Sequence, residues 1–191
     1  MSDCTVTLMS SLSTAELRIP VVTASAVREF SRGGYRGTTI ADVAHAAGIS
    51  PAYVFKLFPS KESLFVAALE DCFRQIVETL TVGAERAGDT SPDGILDAMG
   101  GAYAELIRDR SLLMLQVHAQ SVADIPEIGQ ALRAGMAAIV QLAKARSRAS
   151  DGAVQHFVAY GQLCHLIVTA GIDDVPEEWA SILSAGIRHP R

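Results

Sequence analysis

The chain has 191 residues, of which 49% are hydrophobic, 19% charged and 6% aromatic, so it can form one large domain or two small ones and favours tightly packed helices. It has no run of about eighteen apolar residues and no signal-peptide pattern at its N-terminus, so we expect a cytoplasmic protein without membrane contact. The net charge of −5 disfavours nucleic-acid binding by the chain as a whole. The charges are unevenly distributed, however: residues 1–61 hold six Lys/Arg and four Asp/Glu, whereas residues 62–191 hold ten and seventeen. This distribution favours phosphate contact at the N-terminal end.

The first elements are a polar arm and an amphipathic helix. Residues 1–12 are polar and aperiodic, which predicts a disordered arm. Apolar residues recur at helical spacing from about Pro20 to Arg32, and Gly33 and Gly34 follow as a helix stop. The proline suits the first turn of this helix better than its interior.

Two short helices come next, joined by a glycine turn. The pattern predicts that one begins at Thr39, with Asp42 completing a capping box, and ends at Gly48. The other is entered through Ser50 as the N-cap and Pro51 in the first turn. Such a pair forms a helix-turn-helix, whose second helix fits the DNA major groove, about 12 Å wide.

The second of these helices has two predicted faces. The inward face holds Val54 and Phe58, flanked by Phe55. The outward arc holds Ala52, Tyr53 and Lys56, which we expect to lie close to the bases.

The rest of the chain is predicted to be helical, with no strand alternation and no internal repeat. A long helix from Ser60 to Thr81 leads out of the helix-turn-helix region. Further helices are predicted at residues 92–108, 110–122, 126–149, 151–170 and 176–188. The 110–122 segment is apolar almost all round and should be central, whereas the 151–170 helix is apolar on two faces. We therefore predict a homodimer formed through the 151–170 and 176–188 helices.

A family resemblance covers the helix-turn-helix region. The run FSRGGYRGTTIADVAHAAGISPAYVFKLFPSKESLF, from Phe30 to Phe65, strongly resembles the DNA-binding domain of TetR-family transcriptional regulators. The resemblance implies an all-α homodimer, with a helix-turn-helix domain over residues 13–60 and an effector-binding and dimerisation domain over residues 61–191. It also implies a palindromic double-stranded DNA operator, and most often repression that a small-molecule effector relieves.

The helix starts, the outward arc and the resemblance together predict a set of DNA-contacting residues. They are Arg36, Thr38, Thr39, Ser50, Pro51, Ala52, Tyr53, Phe55, Lys56 and Lys61. Three positions depart from the family pattern: Phe55 stands where a tyrosine is usual, Leu57 where histidine is frequent, and Ala52 where glycine is frequent. The hydroxyl of that tyrosine commonly contacts a phosphate, and Tyr53 could supply a hydroxyl instead.

The effector cavity implied by the resemblance would be lined by polar or aromatic residues on otherwise apolar helices. The candidates are Tyr103, Met114, His118, His156, Phe157, Tyr160 and Cys164. Their apolar surroundings favour a hydrophobic or aromatic ligand. The cysteines Cys4, Cys72 and Cys164 are widely spaced and are interpreted as reduced thiols, so we expect neither a disulfide nor a metal or other cofactor.

Two alternatives remain open from the sequence. One is a helical enzyme or metal-binding bundle built on His118, His156, Cys164 and His165, although these lack the paired spacing of helical zinc ligands. The other is a dimerisation module with a degenerate helix-turn-helix. We expect the regulator, not an enzyme.

Overall fold

The computed structural model describes residues 14–186, and these residues form helices without any β-strand. The α-helices are α1 (Thr14–Gly37), α2 (Ile40–Ala46), α3 (Pro51–Leu57), α4 (Lys61–Glu85), α5 (Pro92–Leu106), α6 (Arg110–Gln120), α7 (Pro126–Ser147), α8 (Asp151–Ala170) and α9 (Glu178–Ser184). A short 3₁₀ helix, Ile172–Asp174, precedes α9. The predicted all-α fold is confirmed. The predicted arm at 1–12, Cys4 and the predicted helix end at 187–188 lie outside the described residues.

The α1–α3 helices, here called the head, pack around an aromatic pair. Phe30 of α1 meets Phe65 of α4 edge-on, with ring centroids 4.9 Å apart, and Tyr35 approaches the same ring at 5.3 Å. Buried aliphatic residues from α1, α2 and α3 complete this core. Because Phe65 belongs to α4, the head is anchored on that helix.

The first helix is longer than the sequence predicts. It begins at Thr14, so Pro20 lies inside it and not in its first turn. A proline inside a helix removes one backbone hydrogen bond and crowds the carbonyl of the preceding turn, and the ring of Pro20 lies on the exposed side of α1. The predicted stop is present as a kink, since Gly34 has φ 66 and ψ 178 within α1.

Helix α4 joins the head to the remaining helices, α5–α9, here called the body. Its inner face is buried from Leu64 to Gly83 and packs against α1, α5 and α7. Close packing against α7 depends on Gly135, where an added Cβ would lie 2.1 Å from the Phe73 ring. With 25 residues, α4 is about 37 Å long and reaches through both parts of the molecule.

Helix α6 is central, as its apolar sequence predicts. Five of its side chains are buried, and it contacts α1, α4, α7 and α8. The α6–α1 contact gives the body a second connection to the head beside α4.

The outer side of α8 and α9 carries exposed apolar residues. They include Tyr160 and Leu166 on α8, and Trp179 and Ile182 on α9. No helix within residues 14–186 is long and apolar enough to cross a membrane.

Candidate DNA-binding surface and effector cavity

The helix-turn-helix is held by local side-chain caps. Thr39 is the N-cap of α2 and forms a reciprocal capping box with Asp42, and Ser50 caps α3 by accepting a hydrogen bond from the backbone N–H of Tyr53 at 3.2 Å. Between the helices, Gly48 has φ 67, which glycine adopts without strain. The predicted helix starts are therefore confirmed.

The exposed side of α3 differs from the predicted arc at two positions. Pro51, Ala52, Phe55 and Lys56 are exposed, whereas Tyr53 is half-buried. The prediction that Phe55 flanks the inward face is wrong, since the side chain is 50% exposed. The reason is helical geometry: residues three and four apart share a face, which groups position 55 with positions 51 and 52.

The two threonines before α2 have different roles. Thr39 is exposed, but Thr38 is only 4% exposed and its hydroxyl donates to the backbone carbonyl of Glu29 at 3.1 Å. Thr38 was predicted to contact DNA, but its hydroxyl is turned to α1 and not to a DNA phosphate. Its side chain instead holds the α1–α2 connection against α1.

Tyr35 connects the end of α1 to the start of α4. Its hydroxyl donates to the carboxylate of Glu62, and the Lys61 ammonium lies 4.7 Å from the centroid of its ring. Burial and the neighbouring Glu62 raise the pKa of Tyr35 to about 12, while the hydrogen bond from Tyr35 lowers the pKa of Glu62. Lys61 is thus held beside the start of α4, with exposed Arg36 following Tyr35 in the chain.

This Tyr35–Glu62 link is absent from the sequence predictions. Its two residues are 27 positions apart, and the only signal was an aromatic residue between the glycines and threonines of GGYRGTT.

The body contains a cavity of about 360 Å³ between α4, α5, α7 and α8, with Gln116 of α6 also in its wall. Five predicted candidates line it: Tyr103, His156, Phe157, Tyr160 and Cys164. His156 and Tyr160 are exposed, so they belong to its solvent side. The remaining wall combines aliphatic side chains and glycines with five polar residues, Asp93, Asp97, Gln116, Gln162 and His165.

Met114 and His118 do not line this cavity. Met114 packs against a buried cluster that includes Ile107 and Val168. His118 lies at the junction of α6 with α1, where a Cβ on Gly34 would come within 3.0 Å of its Nδ1. Its Nε2 is buried and has no hydrogen-bond partner. Met114 and His118 were therefore wrongly predicted to line the cavity, because their side chains pack elsewhere.

A buried polar group stands in the cavity wall. The Tyr103 hydroxyl and His165 Nε2 are 2.6 Å apart, and the Gln116 amide donates to the Tyr103 oxygen at 3.3 Å. Burial raises the pKa of Tyr103 and lowers the pKa of His165 to about 4, so both are uncharged at neutral pH. From the sequence, His165 was considered only as a metal ligand, and Gln116, one of two glutamines in a largely apolar helix, was not selected.

The four residues of the enzyme or metal-bundle alternative do not all meet at one place. His156, Cys164 and His165 line the cavity, but His118 lies at the α1 junction. Nowhere in residues 14–186 do three or more His, Cys, Asp or Glu side chains form a group that could hold a metal ion. Cys72 and Cys164 are buried free thiols, and burial raises the pKa of Cys72 to about 12 and of Cys164 to about 11.

A capped helix-turn-helix, carried by a helical body with an internal cavity, defines a helical DNA-binding protein. Residues 22–68 match the family of bacterial regulatory proteins described as the tetR family. Residues 22–68 are thus similar to the DNA-binding domain of the tetR family, and this match supports a TetR-family transcriptional regulator.

Related proteins agree with this assignment. The HTH-type transcriptional regulator BetI of Brucella canis is 28% identical over 108 residues, and BetI of Brucella abortus is 32% identical over 63 residues. The first match covers 54% of each chain, so this chain spans about half the length of the curated relative.

Solved structures share the fold over most of the chain. A TetR-family regulator from Agrobacterium tumefaciens has a TM-score of 0.69 at 16% identity, covering 90% of this chain and 94% of that chain. The regulator FadR from Bacillus subtilis, in complex with stearoyl-CoA, has a TM-score of 0.66 at 13% identity, covering 87% and 94%. At these identities the likeness shows the fold alone.

Proposed function

We propose that this chain is a transcriptional repressor that binds a palindromic DNA operator as a homodimer and releases it when a small, largely apolar effector enters the body. It acts by binding and not as an enzyme, and it works in the cytoplasm, where the DNA lies. The proposal is supported above all by the capped helix-turn-helix, whose α3 exposes Pro51, Ala52, Phe55 and Lys56 and no acidic residue.

The exposed arc suits the major groove. Ala52 permits close approach, Phe55 offers an apolar surface to thymine methyl groups, and Lys56 reaches a guanine edge or a phosphate. Arg36 and Lys61 are the cations beside this arc that can contact phosphates. The hydroxyl contact of the family's usual tyrosine is missing at Phe55, and half-buried Tyr53 is the nearest replacement.

Coupling between effector and DNA is proposed to run through α4 and α6. Helix α4 supplies Ile76 and Leu80 to the cavity wall and Phe65 to the head core, while α6 supplies Gln116 to the wall and His118 to the α1 contact. An effector shifts DNA binding only by its differential affinity for the two arrangements of the heads. In the homodimer, the heads must sit roughly 34–36 Å apart to reach successive major grooves.

The homodimer is proposed to form through α8 and α9. Their exposed apolar residues are Tyr160, Leu166, Trp179 and Ile182. Burying such a face against a second copy gains hydrophobic free energy.

An electrophoretic mobility shift with DNA flanking the chain's own gene tests the regulator. A sequence-selective shift at low salt is expected, and its absence would contradict the proposal. Small molecules are then added to the complex to test release.

Two matched charge removals locate the DNA surface. Lys61→Ala, at the start of α4, is expected to weaken binding to all DNA sequences alike and to reduce the salt slope by about one. Arg86→Ala removes the same charge from the other end of α4 and should leave both quantities unchanged. Equal losses in the two variants would argue for a general charge effect and against this surface.

Tyr53→Ala should change the preference among operators, whereas a uniform loss would make Tyr53 a contact to the DNA backbone.

A further inference from the structure

The buried polar group of the cavity has a defined direction of hydrogen bonding. The Gln116 amide donates to the Tyr103 oxygen and also to the carbonyl of Leu112, at 3.3 and 3.2 Å. If the Tyr103 hydroxyl then donates to His165 Nε2, the hydroxyl oxygen, its hydrogen and Nε2 all have a partner. The reverse direction would leave the tyrosine hydroxyl hydrogen without an acceptor, which is costly in a buried site.

This direction fixes the tautomer of His165. The ring is neutral at physiological pH because burial lowers its pKa to about 4. A neutral imidazole that accepts at Nε2 carries its single hydrogen on Nδ1. In a side chain only 4% exposed, that Nδ1 has no partner among the described residues. The cavity wall therefore holds a buried N–H donor that lacks an acceptor.

The charged side chains that line the cavity are acidic. Asp93 and Asp97 of α5 line the cavity, and no Lys or Arg of residues 14–186 does so. A carboxylate or phosphate brought into an apolar cavity needs a cationic or multiple-donor partner to offset its desolvation. This wall supplies two carboxylates, both at exposed positions of α5, and neither lysine nor arginine among residues 14–186, so it disfavours anions.

We propose that the effector of this regulator is an uncharged, largely apolar molecule with a carbonyl, ester or hydroxyl oxygen that accepts a hydrogen bond from His165. That the ligand acts as an effector rests on the proposed function, whereas its binding to the cavity does not depend on DNA. Stearoyl-CoA, which the Bacillus subtilis FadR structure contains, carries phosphates and belongs to the class that this wall rejects.

The first test measures direct binding to the purified full chain in the absence of DNA. The probes are methyl esters of saturated fatty acids with eight to fourteen carbons, the matching free carboxylates, and stearoyl-CoA, each followed by thermal shift and calorimetry at pH 7.5. At least one ester should bind, and its carboxylate should bind at least about tenfold more weakly because it must be desolvated without a cation. No binding by any ester, or equal binding by the carboxylates or stearoyl-CoA, would overturn the proposal.

Variants separate the donor from the apolar wall. His165→Leu should weaken the best ester about five- to tenfold, the effect of one lost hydrogen bond. Met136→Leu, at an aliphatic position of the same wall, should leave that affinity unchanged. Asp93→Asn should strengthen carboxylate binding and leave ester binding unchanged. An unchanged ester affinity in His165→Leu would refute the role of this donor.

A ligand-free measurement covers the case in which His165→Leu does not fold. Nitrogen NMR of the ¹⁵N-histidine-labelled chain should show the Nδ1–H tautomer for one ring that stays neutral at pH 6. The Nε2–H tautomer for that ring would contradict the hydrogen-bond direction. If an ester binds but the operator DNA stays bound, only the effector role is refuted. If the protein shifts DNA but binds no ester, only the proposed ligand class is refuted.

Discussion

Gly34 lies at the contact between head and body. Its backbone angles, φ 66 and ψ 178, fall in a region that only glycine occupies readily, and a Cβ there would meet the His118 ring at 3.0 Å. We expect Gly34→Ala to lower the free energy of unfolding by about 1–3 kcal/mol through backbone strain, with displacement of His118 adding to the loss. Urea unfolding followed by circular dichroism measures it.

Gly37→Ala is the control for this change. It lies three residues later in α1, has no positive φ, and has nothing within 4 Å of an added Cβ. It should leave stability nearly unchanged. A Gly34→Ala variant as stable as Gly37→Ala would show that the kink is not required.

The Tyr35–Glu62 hydrogen bond predicts a pH-dependent stability difference. It needs an ionised Glu62, whose folded pKa lies below its ordinary 4.5, and a protonated Tyr35, whose folded pKa is raised from 10.0 to about 12. Its contribution is therefore fully present between pH 4.5 and 10, and is lost as the pH falls through the folded pKa of Glu62 or rises through that of Tyr35.

Tyr35→Phe tests this dependence. At pH 7 it should cost about 1 kcal/mol, since the bond is charge-assisted but only partly buried. The difference from wild type should shrink as the pH falls below 4.5, as measured by urea unfolding across pH. Tyr53→Phe, which removes the hydroxyl of a half-buried tyrosine elsewhere in the head, is the control. A difference that stays constant with pH would assign the loss to packing.

The sequence predicts local contacts far better than distant ones. The caps at Thr39 and Ser50 were predictable because donor and acceptor lie three residues apart. The bond between Tyr103 and His165 joins residues 62 positions apart, and no periodicity within one helix reveals its partner on another. Met114 and His118 show the same limit, because burial alone does not tell which neighbouring helix a side chain meets.

At the scale of elements, helix starts were predicted more reliably than helix faces. Capping residues and prolines mark the beginnings of α3, α4, α5, α7 and α8 within one residue. The interior position of Pro20 and the exposure of Phe55 were missed. Pro20 lies inside α1 because the helix begins earlier than its apolar periodicity, and the exposure of Phe55 is decided by the other helices that pack on α3.

The crossing of α4 and α7 depends on a glycine. A Cβ at Gly135 would lie 2.1 Å from the ring of Phe73, a distance that no packing tolerates without movement. Gly135→Ala should therefore destabilise the fold by about 1–3 kcal/mol, although alanine is the better helix former. Thermal unfolding measures the loss.

Gly161→Ala is the matched control, since Gly161 also lies inside a helix but has nothing within 4 Å of an added Cβ. It should gain up to about 1 kcal/mol from helix propensity. Destabilisation of similar size in both variants would contradict the importance of the α4–α7 contact.

At the scale of the whole molecule, the head and the cavity are physically continuous. The α4 helix and the α6–α1 contact both run from the cavity wall to the head, so a ligand that repacks the wall meets two elements that bear on the spacing of the DNA-binding helices. In the proposed homodimer, such a repacking would act on operator binding through the distance between the two heads.

The proposed dimer is tested by the mass of the protein in solution. The purified chain, 20.2 kDa, should elute with twice that mass in size exclusion with light scattering. Leu166→Glu places a charge on the exposed apolar side of α8 and should yield monomers, since a carboxylate buried in an apolar interface lacks a partner. Its loss of DNA binding should accompany the loss of dimer.

Val21→Glu is the control for this substitution. Val21 lies on α1 and is 46% exposed, close to the 51% of Leu166, so the same carboxylate is added to a similar surface away from the proposed interface. Trp179, the only tryptophan, gives a second readout, because dilution into the monomer should expose it and shift its emission to longer wavelength. A monomeric wild type at micromolar concentration, or a Leu166→Glu variant that remains dimeric while Val21→Glu does not, would move the interface away from α8 and α9.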